Sequence, residues 1–280
     1  QGLTSIFKGL FTLNIDLLFE LSDGETAFSS FEISNVGEEE SVLTYSISIN
    51  QFENPQGGPD IIQNYWTDSE NESTLNSDWI DISDIGTVYN FQTNDIAGEM
   101  INIGFEFPFY DNSYTECFIN PNGWVGFEND NNSWDNISIP STLAPRPAIF
   151  GFWDDLNPVN DGGSGEGYVY YHVNSERAVV WYDNVQHWPT NFEGSNYDFQ
   201  MVLHSSGDIG FNYRSMEGVA NSATIGVQNS DASLGTQVTY NGSFAHDELS
   251  VLIYEYYKCH STPSPYGDST GDALSSRERE

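Results

Sequence analysis

Apolar residues in this chain recur at every second position, in short runs broken by Gly, Asn, Asp and Pro, and almost never at the spacing of an amphipathic helix. A period of two suits half-buried antiparallel strands, so the sequence predicts about a dozen strands and no long helix. The clearest run is 101–109, where Ile101, Ile103, Phe105, Phe107 and Phe109 form one apolar face; Pro108 marks it as an edge or bulged strand. Hairpins follow in series. Cys117–Ile119 turns at Asn120–Gly123 into Trp124–Phe127, Tyr168–Tyr171 turns at Asn174–Glu176 into Ala178–Trp181, and Tyr197–Leu203 returns through Ser205–Asp208 as Ile209–Tyr213.

The first part of the chain has its own pattern. Residues 10–21 alternate around Leu13, Ile15 and Leu17 and lose phase at Leu18. Phe31 and Ile33 lead into a turn at Asn35–Gly37, after which Leu43, Tyr45, Ile47 and Ile49 alternate with polar residues. This segment resembles the F-x-I-x-N-x-G, L-x-Y-x-I stretches of immunoglobulin-like modules in large secreted microbial proteins. Residues 53–78 are rich in Asn, Gly, Pro, Ser and acid and have no period, so the domain junction is placed there.

Further on stand Asn122-Gly-Trp-Val-Gly-Phe127, Ala148-Ile-Phe-Gly-Phe-Trp-Asp-Asp-Leu-Asn-Pro158, Val179–Val185, Phe199–Leu203 and Ser222–Asn229. In this order they resemble non-catalytic jelly-roll modules of secreted or surface proteins, with Pro121 where such modules have Ser. The resemblance implies fold more than function. The expected architecture is all-β: an immunoglobulin-like N-terminal sandwich over 1–78, a larger jelly-roll-like antiparallel β-sandwich over 79–260, and a polar tail at 261–280 with almost nothing apolar.

Composition removes several function classes. Among 280 residues, 38% hydrophobic and 15% aromatic content is enough for substantial cores, so the chain is not a disordered polyanion. Lys and Arg number 7 against 42 Asp and Glu, a formal charge of −35 that repels phosphates and anionic lipid and sets nucleic-acid binding aside. There is no apolar run of about 18 residues to insert in a membrane. No signal peptide is visible either, and the chain reads as a mature extracellular or cell-surface one. Four N-x-S sequons, at Asn71, Asn131, Asn136 and Asn241, lie in turn-like contexts suited to glycans. Cys117 and Cys259 lack zinc or redox spacing and are expected to pair, tying the last strand back to its domain.

One loop collects oxygen ligands. Asp154, Asp155, Asn157 and Asp161 follow an apolar strand and precede the Gly-rich stretch 162–167, an arrangement that can wrap Ca2+, although the spacing departs from an EF-hand. The plainer account is that Asp154 and Asp155 cap the strand end and bond loop amides. A glycosidase pair drawn from Asp154, Asp155 and Glu166 has little weight in a chain with 42 acids. Neither G-x-S-x-G nor H-E-x-x-H occurs, so no enzyme activity is expected. His172, His187 and His204 read as half-buried, hydrogen-bonded strand residues. Trp124, Trp153 and Trp181 read as core, whereas Trp134 and Trp188, in loop-like contexts, are the candidates for stacking on sugars.

The N-terminus is unusually apolar for so acidic a chain, with Leu3, Ile6, Phe7, Leu10, Phe11, Leu13, Ile15 and Leu17. Either it is the first strand of its own domain, or Leu10, Phe11, Leu13, Ile15 and Leu17 complete a sheet in a neighbouring copy, which makes a head-to-tail filament. The sequence therefore supports two expectations: a glycosylated surface or fibril subunit that assembles with copies of itself, or a carbohydrate- or protein-binding module of a secreted enzyme or adhesin.

Overall fold

The computed structural model describes residues 3–7, 31–35, 57, 64–72, 75, 79–91, 93–128, 133–158, 167–189 and 194–255. Nearly everything regular is strand. The chain divides into two compact units, one of Gln1–Gln51 and Tyr256–Glu280, the other of Phe52–Glu255. In the first, β1 (Leu3–Phe7) pairs in parallel with β2 (Phe31–Asn35), Leu3 opposite Phe31 and Phe7 opposite Asn35. The described partner of Phe31–Asn35 is thus β1. The expected return strand at 43–49, the residues 10–17 put forward for assembly, and the tail 261–280 all lie outside the described residues.

The second unit is an antiparallel β-sandwich. One sheet has eight strands: β3 (Asn64–Asp68), β16 (Leu249–Glu255), β13 (Ile209–Glu217), β12 (Asn196–His204), β11 (Arg177–His187), β10 (Tyr168–Val173) and β4 (Thr87–Val88) in that order, with β9 (Leu156–Asn157) also pairing with β11. The other has six: β15 (Gly235–Tyr240), β14 (Thr224–Gln228), β8 (Ala148–Trp153), β7 (Trp124–Gly126), β6 (Asn112–Asn120) and β5 (Ile101–Phe109). The three hairpins read from the sequence form β6–β7, β10–β11 and β12–β13. Their alternation carries over directly: in β5, Ile101, Ile103, Phe107 and Phe109 are buried while Asn102, Gly104 and Glu106 are exposed. β5 is the edge of its sheet and slips register between Asn102 and Phe107, as Pro108 foretold.

The sandwich begins ahead of the 78/79 division drawn from the sequence. β3 pairs with β16, Trp66 opposite Ile253, so Asn64–Asp68 is an edge strand of the large sheet. The segment hid because Tyr65 and Trp66 are adjacent rather than alternating, inside a stretch dominated by turn residues.

The main core lies between the sheets, where Phe107, Ile119, Ile149 and Phe152 of the six-stranded sheet meet Val180, Tyr182, Phe199, Met201 and Phe211 of the eight-stranded one. Buried tyrosines cross the gap with their hydroxyls: Tyr182 donates to Asn120 O at 2.5 Å and Tyr213 to Gly151 O at 2.6 Å. Each sheet also carries an apolar cluster on its outward face. Trp124, Phe150 and Trp153 lie outside the six-stranded sheet, and Ile82, Val179, Trp181 and Val202 outside the eight-stranded one. Trp124, Trp153 and Trp181 are buried, but in these outer clusters rather than between the sheets.

Candidate functional site

The run Ala148–Trp153 is apolar at every position because β8 is covered on both faces, with Ile149 and Phe152 inward and Phe150 and Trp153 outward. It ends in a bend at Asp154–Asp155, after which β9 pairs with the end of β11, Leu156 opposite His187. At these two aspartates the chain leaves one sheet and joins the other. Every backbone group freed by that switch needs a partner.

Asn122, in the β6–β7 turn and fully buried, supplies most of them. Its carbonyl accepts from Asp154 N at 3.3 Å and its Oδ1 accepts from Leu156 N at 2.9 Å, while its Nδ2 donates to Asn94 O at 3.3 Å. Gly123 next to it has φ +80° and its carbonyl accepts from both Gly151 N and Phe152 N at 3.1 Å. A Cβ at Gly123 would strike the Phe152 carbonyl. The Asn-Gly-Trp motif is therefore the staple of the sheet switch, a role the motif alone did not announce.

Asp154 is buried, and both its oxygens are engaged. Oδ1 accepts from Asp155 N at 2.9 Å and stands 3.3 Å from His187 Nε2, while Oδ2 accepts from Ser222 Oγ at 2.5 Å. His187 also meets the Trp188 carbonyl through Nδ1. A carbonyl and a carboxylate both accept, so the two ring nitrogens both donate and the imidazolium is the favoured form. Burial by itself would lower the His187 pKa; the bond to and charge of Asp154, helped by the Trp188 carbonyl and Asp155, outweigh it and raise it. Ser222 bonds to the carboxylate and not to the imidazole, so the three do not stand in the order of a Ser-His-Asp triad, in which the imidazole lies between hydroxyl and carboxylate.

Asp155 has a different environment. Burial pushes its pKa up to about 7, the nearby His187 charge opposes this, and Asp95, Asp154 and Asp135 add to the rise. The two tryptophans singled out in the sequence reach this residue through their own backbone and neighbours. Trp188 N donates to the Asp155 carbonyl at 2.7 Å, and Trp134 directly precedes Asp135, whose charge acts on the Asp155 carboxyl. On the other side of Trp134, the Ser133 carbonyl accepts from the buried indoles of Trp124 at 3.2 Å and Trp153 at 3.1 Å. Trp134 and Trp188 are 48% and 44% exposed, among the most exposed large apolar side chains described.

Of the calcium candidates, Asp154 is committed as above and Asn157 is buried in β9; Asp161 and Glu166 lie outside the described residues. Among the described residues no three His, Cys, Asp or Glu side chains group to hold a metal ion. Cys117 is a buried thiol on β6, pushed up to about 12 by burial, and Cys259 lies outside the described residues. The sequons differ in their chemistry. The Asn136 nitrogen donates to Ser222 O at 2.6 Å, Thr224 Oγ1 at 3.0 Å and Asn241 Oδ1 at 3.0 Å, whereas Asn241 is exposed in a left-handed turn, φ +50°. Asn71, also exposed, donates to Asp68 Oδ1 at 3.1 Å, and Asn131 lies outside the described residues.

No curated protein and no solved structure matches this chain. A family model described as NIDO related matches residues 72–255, well over half of the chain and nearly all of the sandwich. Domains of the NIDO type are extracellular, which supports an extracellular or surface location, and no helix among the described residues is long and apolar enough to cross a membrane. The chain belongs to the NIDO-related family.

Proposed function

We propose that this protein is an extracellular recognition module whose partner is held at the sheet switch, between Trp134 and Trp188 and over Asp155. The observation that carries the reading is that two exposed indoles belong to segments tied to the half-buried Asp155, Trp188 through its backbone N–H and Trp134 through its neighbour Asp135. Exposing two large rings is unfavourable in water, and each is anchored through its neighbours to the buried network around Asp154 and Ser133. Indole faces stack on the apolar faces of sugar rings, and the Asp155 carboxyl can bond ring hydroxyls, so a glycan is the ligand class that uses all three.

The experiment is a glycan array with the intact protein and with Trp134→Ala and Trp188→Ala. Binding by the intact protein that either substitution abolishes, at unchanged melting temperature, supports the reading. Equal binding by all three proteins, or by none, counts against it.

A second reading rests on the apolar run from Leu10 to Leu17 in so acidic a chain. Donated to a neighbouring copy, that run would link subunits head to tail into a surface fibril. Negative-stain microscopy of the protein with and without residues 1–19 checks it: filaments lost on deletion support a fibril, and dispersed particles in both samples remove it.

A further inference from the structure

The outward face of the eight-stranded sheet carries another aromatic array, away from the sheet switch. β10 sets Tyr168 and Tyr170 on this face, ring centres 6.1 Å apart. β11 adds Trp181, stacked on Tyr170 at 5.2 Å, and Trp79 meets Trp181 edge to face at 5.9 Å. Arg214 locks the group. Its guanidinium sits 4.2 Å from the Trp79 ring centre and 5.2 Å from that of Trp181, and it donates to Asp198 Oδ2 at 2.7 Å and 2.5 Å. Asp198, buried, also accepts from Trp181 Nε1 at 2.8 Å.

Trp181 and Arg214 are thus held in place by a buried carboxylate, yet the face stays open. Tyr168 is 41% exposed, the Arg214 side chain is 44% exposed, and Trp79 and Tyr170 are half-buried. Two rings fixed two residues apart on one strand, with a guanidinium at one side and the Asp183 carboxyl opposite Tyr168, present alternating apolar and polar contacts. A pyranose chain has that alternation: C–H faces for the rings and equatorial hydroxyls for the charged groups.

We propose that this face is a second ligand site, a platform on which a neutral polysaccharide stacks along Tyr168 and Tyr170 and bonds Arg214 and Asp183 with its hydroxyls. Charge selects the neutral class. Arg214 is already neutralised by Asp198, Asp183 adds an acid, and the chain carries −35, so a polyanion is repelled.

Native affinity electrophoresis through gels containing laminarin, hydroxyethylcellulose or glucomannan, with alginate as the polyanion, tests the proposal. At least one neutral polysaccharide should retard the protein and alginate should not. Tyr168→Ala should weaken that retardation about tenfold, the loss of one good stacking contact, while Tyr168→Phe, which keeps the ring, should preserve most of it. Tyr168→Ala should leave unchanged any glycan-array binding that depends on Trp134 and Trp188, which separates this site from the one at the sheet switch. Failure of all three neutral polysaccharides to retard the protein, or retardation of Tyr168→Ala equal to that of the native protein, would overturn it.

Discussion

The outward faces of the two sheets start from similar material and end differently. Outside the six-stranded sheet, Trp124, Phe150 and Trp153 are sealed under the segment 133–147. That segment stays down because partners wait for its backbone: Ser133 O takes both indole N–H groups, and the buried Gln228 exchanges bonds with Ser141 N, Ser141 O and Pro145 O at 2.8, 3.2 and 2.7 Å. Outside the eight-stranded sheet, the segment around Trp79–Ile82 is tied by Gln200, whose amide pairs with Ile80 N and Ile80 O at 3.2 and 2.7 Å, and it covers only part of the face. Tyr168 and Tyr170 are left at the surface. An aromatic cluster becomes core or binding surface according to whether a loop with satisfied polar groups can close over it.

That contrast can be broken by mutation. The largest effect should come from Trp153→Ala, which empties a fully buried site and removes a bond to Ser133; a loss of about 3–5 kcal/mol in urea unfolding is expected. Gln228→Leu keeps the volume but leaves Ser141 and Pro145 without partners, about 2 kcal/mol, together with a red shift in tryptophan emission as the loop lifts from Trp124 and Trp153. If either variant unfolds like the native protein, the sealed face is not what holds that side together.

Asp155→Asn probes the sheet switch between the faces. A carboxyl whose folded pKa is raised to about 7 binds its proton more tightly when folded, so its stabilising effect is complete below the ordinary carboxylate value of 3.8 and disappears as pH rises toward 7. The raised His187 acts in the same direction: its contribution is complete below 6.5 and is lost as pH rises through the folded value. Melting temperature should therefore fall from pH 5 to pH 8 in the native protein. The Asp155→Asn variant should flatten the part of that fall below pH 7 and be more stable at pH 8, on the order of 1 kcal/mol after solvent screening of a half-buried group. A pH profile identical in the two proteins would show that Asp155 titrates normally. The smallest effect should be that of Tyr168→Ala, within about 0.5 kcal/mol by urea unfolding, as befits an exposed ring; a large loss would make the open face structural after all.

The residues alone point to the segment of the candidate site and to its exposed rings. The F-W-D-D-L-N-P run is the segment richest in oxygen ligands, and loop-like contexts set Trp134 and Trp188 apart from Trp124, Trp153 and Trp181, which are buried. What stayed hidden were the long-range partners. Asn122 lies 34 residues from the Leu156 amide it caps, His187 comes from another sheet to meet Asp154, and Ser222 is 68 residues further on. No local period encodes such pairings. The platform at Tyr168 was missed for the same reason, since Trp79, Trp181 and Arg214 come from three distant segments.

By itself the sequence determined the class of fold, the position of its main hairpins and the phase of each. A period of two with Gly, Asn and Pro at the breaks leaves a strand only one way to bury its apolar side. It also determined the acidity of the chain, a formal charge of −35. Only the tertiary structure decided which strands share a sheet, that Asp154 would be consumed by His187 and Ser222 while Asp155 kept a half-open carboxyl, and that one aromatic face would be sealed and the other left bare. Those outcomes depend on which polar groups meet across distant segments, and an unpaired group in a dry interior is too unfavourable for the chain to settle anywhere else.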